Sequence, residues 1–494
     1  MKRSWLILGS ILLLALGLRV YQISHDSLWY DEAGVVLAAQ APTAAETLKI
    51  AQTHVAAMPF NYLQTRFLLL FGDQEGWLRL PSAFWGTLAV LAFYWLAKDL
   101  TSEKTALIAA ALLAVHPFHI QYSQELRFYA SGSFFYLIGT VLLVRAFKKG
   151  RFKDWALAVV TISLGAYDFP YTVFAWFNAL MIGIGLSDVR AQMHTRLFHF
   201  GLSGLAIGLL FLPGYLLFGR IGTFAYYPSA ANAVRSLMIG MGWLPMNYSV
   251  GNASVWFGAL LFLWVVIGLV INVRARRWGV FGWLGAVVIE IGMILAADFT
   301  SNYFAAPRQF LAFLPVGLLL AASVPAAWMD LAQPVGMQVS DVRKRAAFLK
   351  INRVLGSLCL GVVLLTAIPA LHHYYQAPKS YAREVTSVLV ERLTSTDKVY
   401  VVPRYEPLVF RYYTAKQGYP YQEEQWIGLQ RDDLAQQDFG TETAYLITHN
   451  DWTDEQEALI FNLGFQVLWE RPGDDIGAHR LYIRPTGDIQ SSAQ

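Results

Sequence analysis

The chain has 494 residues, of which 56% are hydrophobic and only 15% are Asp, Glu, Lys or Arg, well below the about 25% charged residues of an ordinary soluble domain. A net charge of +4, dispersed along the chain, argues against a nucleic-acid partner. A single cysteine, Cys359, excludes an intrachain disulfide and a zinc-type cysteine cluster.

Crossing a bilayer takes about 20 apolar residues. Apolar stretches of roughly that kind recur at 5–22, 79–97, 105–120, 130–147, 154–168, 171–187, 197–217, 254–272, 279–297, 306–325 and 353–371. The first has the basic start of a signal peptide, but it lacks an A-x-A-like end and runs on into Arg19, so it reads as a retained anchor. Between the fifth and sixth, "GAYDFPYTVF" suits either a tight turn between two short spans or one broken helix. With the N-terminus in the cytoplasm, nineteen Lys and Arg fall on inner segments and eight on outer ones up to residue 371. That bias orients the chain in a plasma or inner membrane, with residues 23–78 and the C-terminal region outside.

The long first outer loop, 23–78, is not a plain linker. In "SLWYDEAGVVLAAQ" the apolar run after Asp31 and Glu32 reads as a short interfacial helix. In "TAAETLKIAQ", Thr43 and Glu46 have capping-box spacing and predict a helix start. From about 372 the pattern changes. "DKVYVVPRY", "TAYLITHN" and "GFQVLWE" read as strands, "EPLVFRYYTAK" and "DEQEALIFNLG" as helices. The expected fold is therefore an α-helical polytopic membrane domain of about eleven spans, 1–371, followed by a small extracytoplasmic α/β domain, 372–494.

Charged residues converge on the outer face. Asp31 and Glu32 open the first loop, "VHPFHIQYSQELRFYASG" holds Glu125, Arg127 and Tyr129, "AYDFPYTVF" holds Asp168, and "DFTSNYFAAPRQFLAFLP" holds Tyr303 and Arg308. Each has a bland reading. Asp31 and Glu32 are good helix-start residues, Glu125 and Arg127 can pair with each other, Asp168 can cap a span, and Arg308 can snorkel to headgroups. Their concentration beside a membrane interior almost empty of charge is what suggests a site.

"DSLWYDEAGVV", "RLPSAFWGTLAVLAFYWLAKDL", "HPFHIQYSQELRFYA" and "PRQFLAFLP", in that order, resemble the family 39 type of multispanning glycosyltransferases, within the C-type superfamily. That family includes the protein O-mannosyltransferases and the lipid A aminoarabinose transferases. The resemblance covers most of residues 1–325 and implies an enzyme that moves a hexose or pentose from a polyprenyl-phosphate carrier to an acceptor hydroxyl outside the membrane. The acceptor class, whether glycan, lipid or protein, stays open. Carried over residue by residue, the first-loop acid falls on Asp31 with Glu32 as companion, the second-loop acid and base on Glu125 and Arg127, and the later arginine on Arg308. Two departures matter. Where relatives have a His-Pro-Pro-type stretch, this chain reads "THVAAMPFNY", displacing His54 and Pro59, and Asp168 stands where relatives often have a histidine. His54 and Asp168 are therefore held as support residues, and a divalent metal is left open with no ligand set assigned.

The chemistry explains the residue types. A carboxylate can take the proton of an acceptor hydroxyl, and the planar guanidinium suits a leaving phosphate. A direct displacement inverts the anomeric carbon and needs one base, by analogy with inverting glycosidases. No Gly-rich nucleotide-phosphate loop is present, which favours a lipid-linked donor. A transporter or flippase of lipid-linked saccharides is the alternative, with Glu290 inside the ninth span as its signature. A scaffold without catalysis is a third reading.

Overall fold

The computed structural model describes residues 2–54, 58–186, 193–219, 228–244, 252–301, 305–330, 342–376, 380–404, 407–420, 422–449, 452–470 and 479–485. Among these, eight helices are long and apolar enough to cross a membrane, and nine if one bent pair counts as a span. Every apolar stretch expected from the sequence overlaps a helix: α1 (Lys2–Val20), α5 (Glu75–Leu100), α6 (Glu103–Ala114) with α7 (Pro117–Ser123), α8 (Tyr129–Lys149), α9 (Phe152–Ala166), α10 (Phe174–Gly185), α11 (Met193–Phe218), α13 (Asn252–Arg274), α14 (Trp278–Ser301), α15 (Leu314–Asp330) and α16 (Val342–Gln376). At 15 and 12 residues, α9 and α10 fall short of the usual spanning length. A short 3-10 turn at Pro170–Val173 joins them, so "GAYDFPYTVF" is a turn between two short helices.

Burial sorts the helices. α8 and α15 are enclosed along most of their length, whereas α11 exposes Leu202, Leu205, Leu209 and Leu216, and α16 exposes Leu358, Val362 and Leu365. Apolar side chains turned outward in this way suit lipid, where no water competes for the backbone.

The bend between α6 and α7 is 62°. His116 precedes Pro117, and a residue before proline avoids the helical region, so α6 stops there. The carbonyls left over at its end are taken by Arg19, fully buried on α1. Its Nη1 donates to Ala114 O at 3.0 Å, its Nη2 to Leu113 O at 3.3 Å, and it also contacts His119 and Ser123. Gly86 of α5 lies against this knot, where an added Cβ would meet the Ser123 hydroxyl at 2.1 Å. The segment that follows, which carries Glu125 and Arg127, meets the first loop where the Leu126 N–H donates to Glu32 Oε1 at 2.7 Å.

That loop is folded as the sequence patterns suggest. α2 (Tyr30–Ala39) starts at Trp29, and α3 (Ala44–Ala51) starts at Thr43 with the expected capping box to Glu46. α4 (Pro59–Leu69) begins with Pro59 in its first turn, a position where the missing N–H costs nothing. α12 (Ala230–Gly240), against the 3-10 segment Pro307–Phe313, was not legible as a separate element.

The C-terminal region forms a five-stranded sheet in the order β2-β1-β3-β5-β4. β1 (Lys398–Val401), β3 (Ala444–His449) and β4 (Gln466–Trp469) fall on the expected strands. α18 (Pro407–Lys416) and α19 (Asp454–Asn462) fall on the expected helices. α17 (Ala382–Val390), β2 (Trp426–Gly428) and β5 (His479–Arg484) complete the domain; β1 pairs in parallel with β2 and β3, and β5 antiparallel with β3 and β4. Alternation along the strands builds two cores. Val399, Val401, Tyr445, Ile447 and Leu481 face one side; Tyr400, Ala444, Leu446 and Tyr482 face the other. The first of these cores continues into the first loop, taking in Leu28, Ala33, Val36, Leu78 and Leu126.

Candidate active site

The two adjacent acids part company at the start of α2. Successive helical residues point about 100° apart. Glu32 turns inward and is fully buried, whereas Asp31 keeps 21% of its side chain exposed.

Glu32 is saturated with donors. Arg79 of α5 binds it through Nε to Oε1 at 2.9 Å and Nη2 to Oε2 at 2.6 Å, the Leu126 N–H donates to Oε1 at 2.7 Å, and the Trp29 N–H donates to Oε2 at 3.2 Å. Arg79 also donates to the carbonyls of Ile23, Asp26 and Ser27. A buried carboxylate with this many charge-assisted and backbone bonds is a junction. It ties the start of α2 to α5 and to the segment carrying Glu125 and Arg127. Glu32 thus takes the helix-start role together with a support role.

Asp31 faces two guanidiniums. Its Oδ2 lies 3.9 Å from Arg127 Nη2 and 3.8 Å from Arg308 Nη2, charge-pair distances beyond hydrogen-bond reach. Arg127 and Arg308 therefore both pair with Asp31. Arg308 lies over the rings of Trp29 at 5.7 Å and Tyr129 at 6.0 Å, and Arg127 over Phe128 at 4.8 Å, contacts that favour a cation on an aromatic face. The 3-10 segment carrying Arg308 is fixed from below by Asp298, whose Oδ1 accepts the Ala305 N–H at 2.9 Å. Burial works against the Arg127 charge, but Asp31 and the tyrosines beside it outweigh that and hold its pKa above the ordinary arginine value. Two donors there, Arg127 Nε and Trp29 Nε1, are buried with no acceptor among the described residues.

The remaining expected residues surround this centre. Glu125 is buried within electrostatic reach of Arg308 and Tyr122, and Tyr129 is buried beneath Arg308. His54 binds the Tyr62 hydroxyl through Nδ1 at 2.9 Å; burial, then the nearby Arg127, lowers its pKa, against a smaller opposing pull from Asp31. Asp168 is buried beside the Ser131 hydroxyl and feels the charge of Arg127. It does not cap the next helix. Tyr303 lies outside the described residues. Glu290 is buried between helices and accepts the Tyr136 hydroxyl at 3.1 Å. Among the described residues no three His, Cys, Asp or Glu side chains gather as a metal-ligand set. The charged neighbours of Asp31 are guanidiniums, a donor set for an anion.

Sequence reasoning missed Trp29, Tyr62 and Arg79. A signal existed for two of them, because Trp29 and Arg79 lie inside the stretches that carry the family resemblance.

Residues 56–216 match the family model described as dolichyl-phosphate-mannose-protein mannosyltransferase. That span includes Glu125, Arg127 and Asp168 but not Asp31 or Arg308. No match to a curated protein was found. Among solved structures, the chain is similar to ArnT from Cupriavidus metallidurans in the apo state, at 14% identity and a TM-score of 0.56 over 98% of both chains. It is also similar to the same protein bound to undecaprenyl phosphate, at 13% identity and 0.53 over 100% of both chains. The archaeal oligosaccharyltransferase AglB from Archaeoglobus fulgidus, in complex with an inhibitory peptide and a dolichol-phosphate, matches at 13% identity and 0.52, over 91% of this chain and 69% of that one. Over its whole length the chain thus shares the fold of ArnT, and within 56–216 it resembles a glycosyltransferase family. None of these matches is a transporter.

Proposed function

We propose that the chain transfers a sugar from a polyprenyl phosphate to an acceptor hydroxyl at the extracytoplasmic face, with Asp31 as general base and Arg127 and Arg308 as the phosphate clamp. One observation carries this reading: Asp31 stands between two guanidiniums that it does not hydrogen-bond, beside two buried donors with no acceptor among the described residues. An anionic donor supplies what those groups lack. Asp31 takes the acceptor proton as the acceptor oxygen forms its bond to the sugar C1. The bond from C1 to the phosphate oxygen breaks, its electron pair leaves with the phosphate, and the two arginines stabilise that charge. The ligands named for ArnT and AglB, undecaprenyl phosphate and dolichol-phosphate, support a lipid-linked donor. The sugar and the acceptor class are left to experiment.

Mass spectrometry of envelope glycans and polyprenyl lipids, in cells with and without the gene, tests the reaction. The deletion should lose a glycan mass and accumulate a polyprenyl-linked sugar; identical profiles would overturn the proposal. The clamp has its own test. Arg308→Lys keeps the charge but loses the planar two-pronged donor, so it should weaken binding of undecaprenyl phosphate by roughly tenfold, readable by titration of the purified protein.

The same reading puts the first loop and the sheet domain outside, following the basic bias of the loops. Lys49 and Gln417 are exposed on those two parts. Cysteines placed there, in a Cys359→Ala background, should label with a membrane-impermeant thiol reagent on intact spheroplasts. Protection of both until lysis would reverse the orientation.

A further inference from the structure

We infer that the C-terminal sheet domain is a positioning element for Asp31, acting chiefly through Tyr413 of α18. The inference rests on the role proposed for Asp31 and extends it to a region that carried little of the family resemblance.

Within the five residues before Asp31, the chain is tied to the sheet domain at three points. The Leu28 N–H donates to the Tyr413 hydroxyl oxygen at 2.6 Å, the Ser27 hydroxyl donates to Glu384 Oε2 at 2.9 Å, and the Arg383 N–H donates to Ser27 Oγ at 3.1 Å. Tyr413 in turn donates to Glu75 Oε1 at 3.1 Å, on the first turn of α5, and Arg383 pairs with the same carboxylate at 3.4 Å. Tyr413 is therefore a bridge between the approach to Asp31 and a membrane helix, and it is 1% exposed, so its bonds are sheltered from water.

Packing reinforces the bridge. One side of α2, Ala33 and Val36, sits in the core of the sheet domain, while Val35 and Ala38 sit against Met58, Tyr62 and Phe218. Gly34 lets α18 come close, because a Cβ there would stand 3.3 Å from Leu408 Cδ2. The helix bearing Asp31 is thus wedged between the sheet domain and the membrane part. Arg308 belongs to the membrane part, whereas Arg127 follows Leu126, which shares the sheet-domain core and donates its N–H to Glu32 of α2. The separation between Asp31 and Arg308, 3.8 Å between Oδ2 and Nη2, consequently depends on where the sheet domain holds α2. A base misplaced by an ångström loses rate without losing donor affinity.

The test uses the full chain in membranes, with Asp31→Cys in a Cys359→Ala background as reporter. The rate of alkylation of that cysteine by a maleimide reads its surroundings without any reference to catalysis. Tyr413→Phe leaves the Leu28 N–H without its acceptor and should change the rate by about two- to tenfold, the range set by one hydrogen bond. Ser27→Ala, which removes a different anchor, should shift it in the same direction. Phe439→Leu loosens the opposite core of the domain, around Tyr400 and Phe465, and should leave the rate unchanged. In the otherwise native chain, Tyr413→Phe should lower the glycan product about tenfold at equal protein level, with undecaprenyl phosphate affinity retained. Unchanged alkylation in both Tyr413→Phe and Ser27→Ala, or equal change in Phe439→Leu, overturns the inference. A shifted rate combined with no glycan difference between cells with and without the native gene leaves positioning intact and removes the proposed reaction instead.

Discussion

Asp31→Asn should cut turnover by roughly the 10²–10⁴-fold typical of a lost general base. The substitution keeps the size of the side chain and its ability to accept a hydrogen bond, and it removes only the basic oxygen. Because Asp31 makes no hydrogen bond to Arg127 or Arg308, the local fold has little to lose, and donor binding should persist or tighten as the competing negative charge goes. Glu32→Gln should cost less turnover. Measured side by side at equal protein level, near-normal transfer in Asp31→Asn with a dead Glu32→Gln would exchange the two roles. Full activity in both would leave the acids as helix-start residues only.

The second large effect is on stability and falls on Arg79. Arg79→Ala strips Glu32 of its two strongest bonds and leaves the Ile23, Asp26 and Ser27 carbonyls without their guanidinium donor. Removing one partner of a buried ion pair costs about 3–5 kcal/mol, because the remaining charge stays in a low-dielectric site. Thermal unfolding of the purified protein should show a marked drop in midpoint, and expression should fall. The double variant Arg79→Met, Glu32→Leu removes both charges together and should lose less than the two single changes combined. It should also show reduced turnover, because the Leu126 N–H and the start of α2 lose the carboxylate that joins them. Equal stability in Arg79→Ala and the native chain would show that this junction does not hold the site.

The pairing of Arg79 with Glu32 also shows where reading residues in sequence stops. Arg79 is 47 residues from Glu32 and looks, in sequence, like any basic residue at the mouth of a span. Arg19 looks like an interfacial anchor, yet it is buried and closes the end of α6, 95 residues away at Ala114. Tyr413 reads as part of an amphipathic helix and is the one that reaches Leu28.

What the sequence determined by itself was whatever a local rule governs. The thickness of a bilayer forces long apolar helices, so their places were legible from hydropathy. Capping chemistry acts over three residues and marked the start of α3 at Thr43. Alternation marked β1 and β3, because a strand buried on both faces must still send neighbours to different cores. The tertiary structure alone decided which of two adjacent acids faces the arginines. It alone decided that the sheet domain shares a core with the first loop, and that Arg127 lies beside Asp31. Each of these depends on groups far apart in the chain meeting in one place, and in a water-poor site a charge is settled by its partners rather than by its neighbours in sequence.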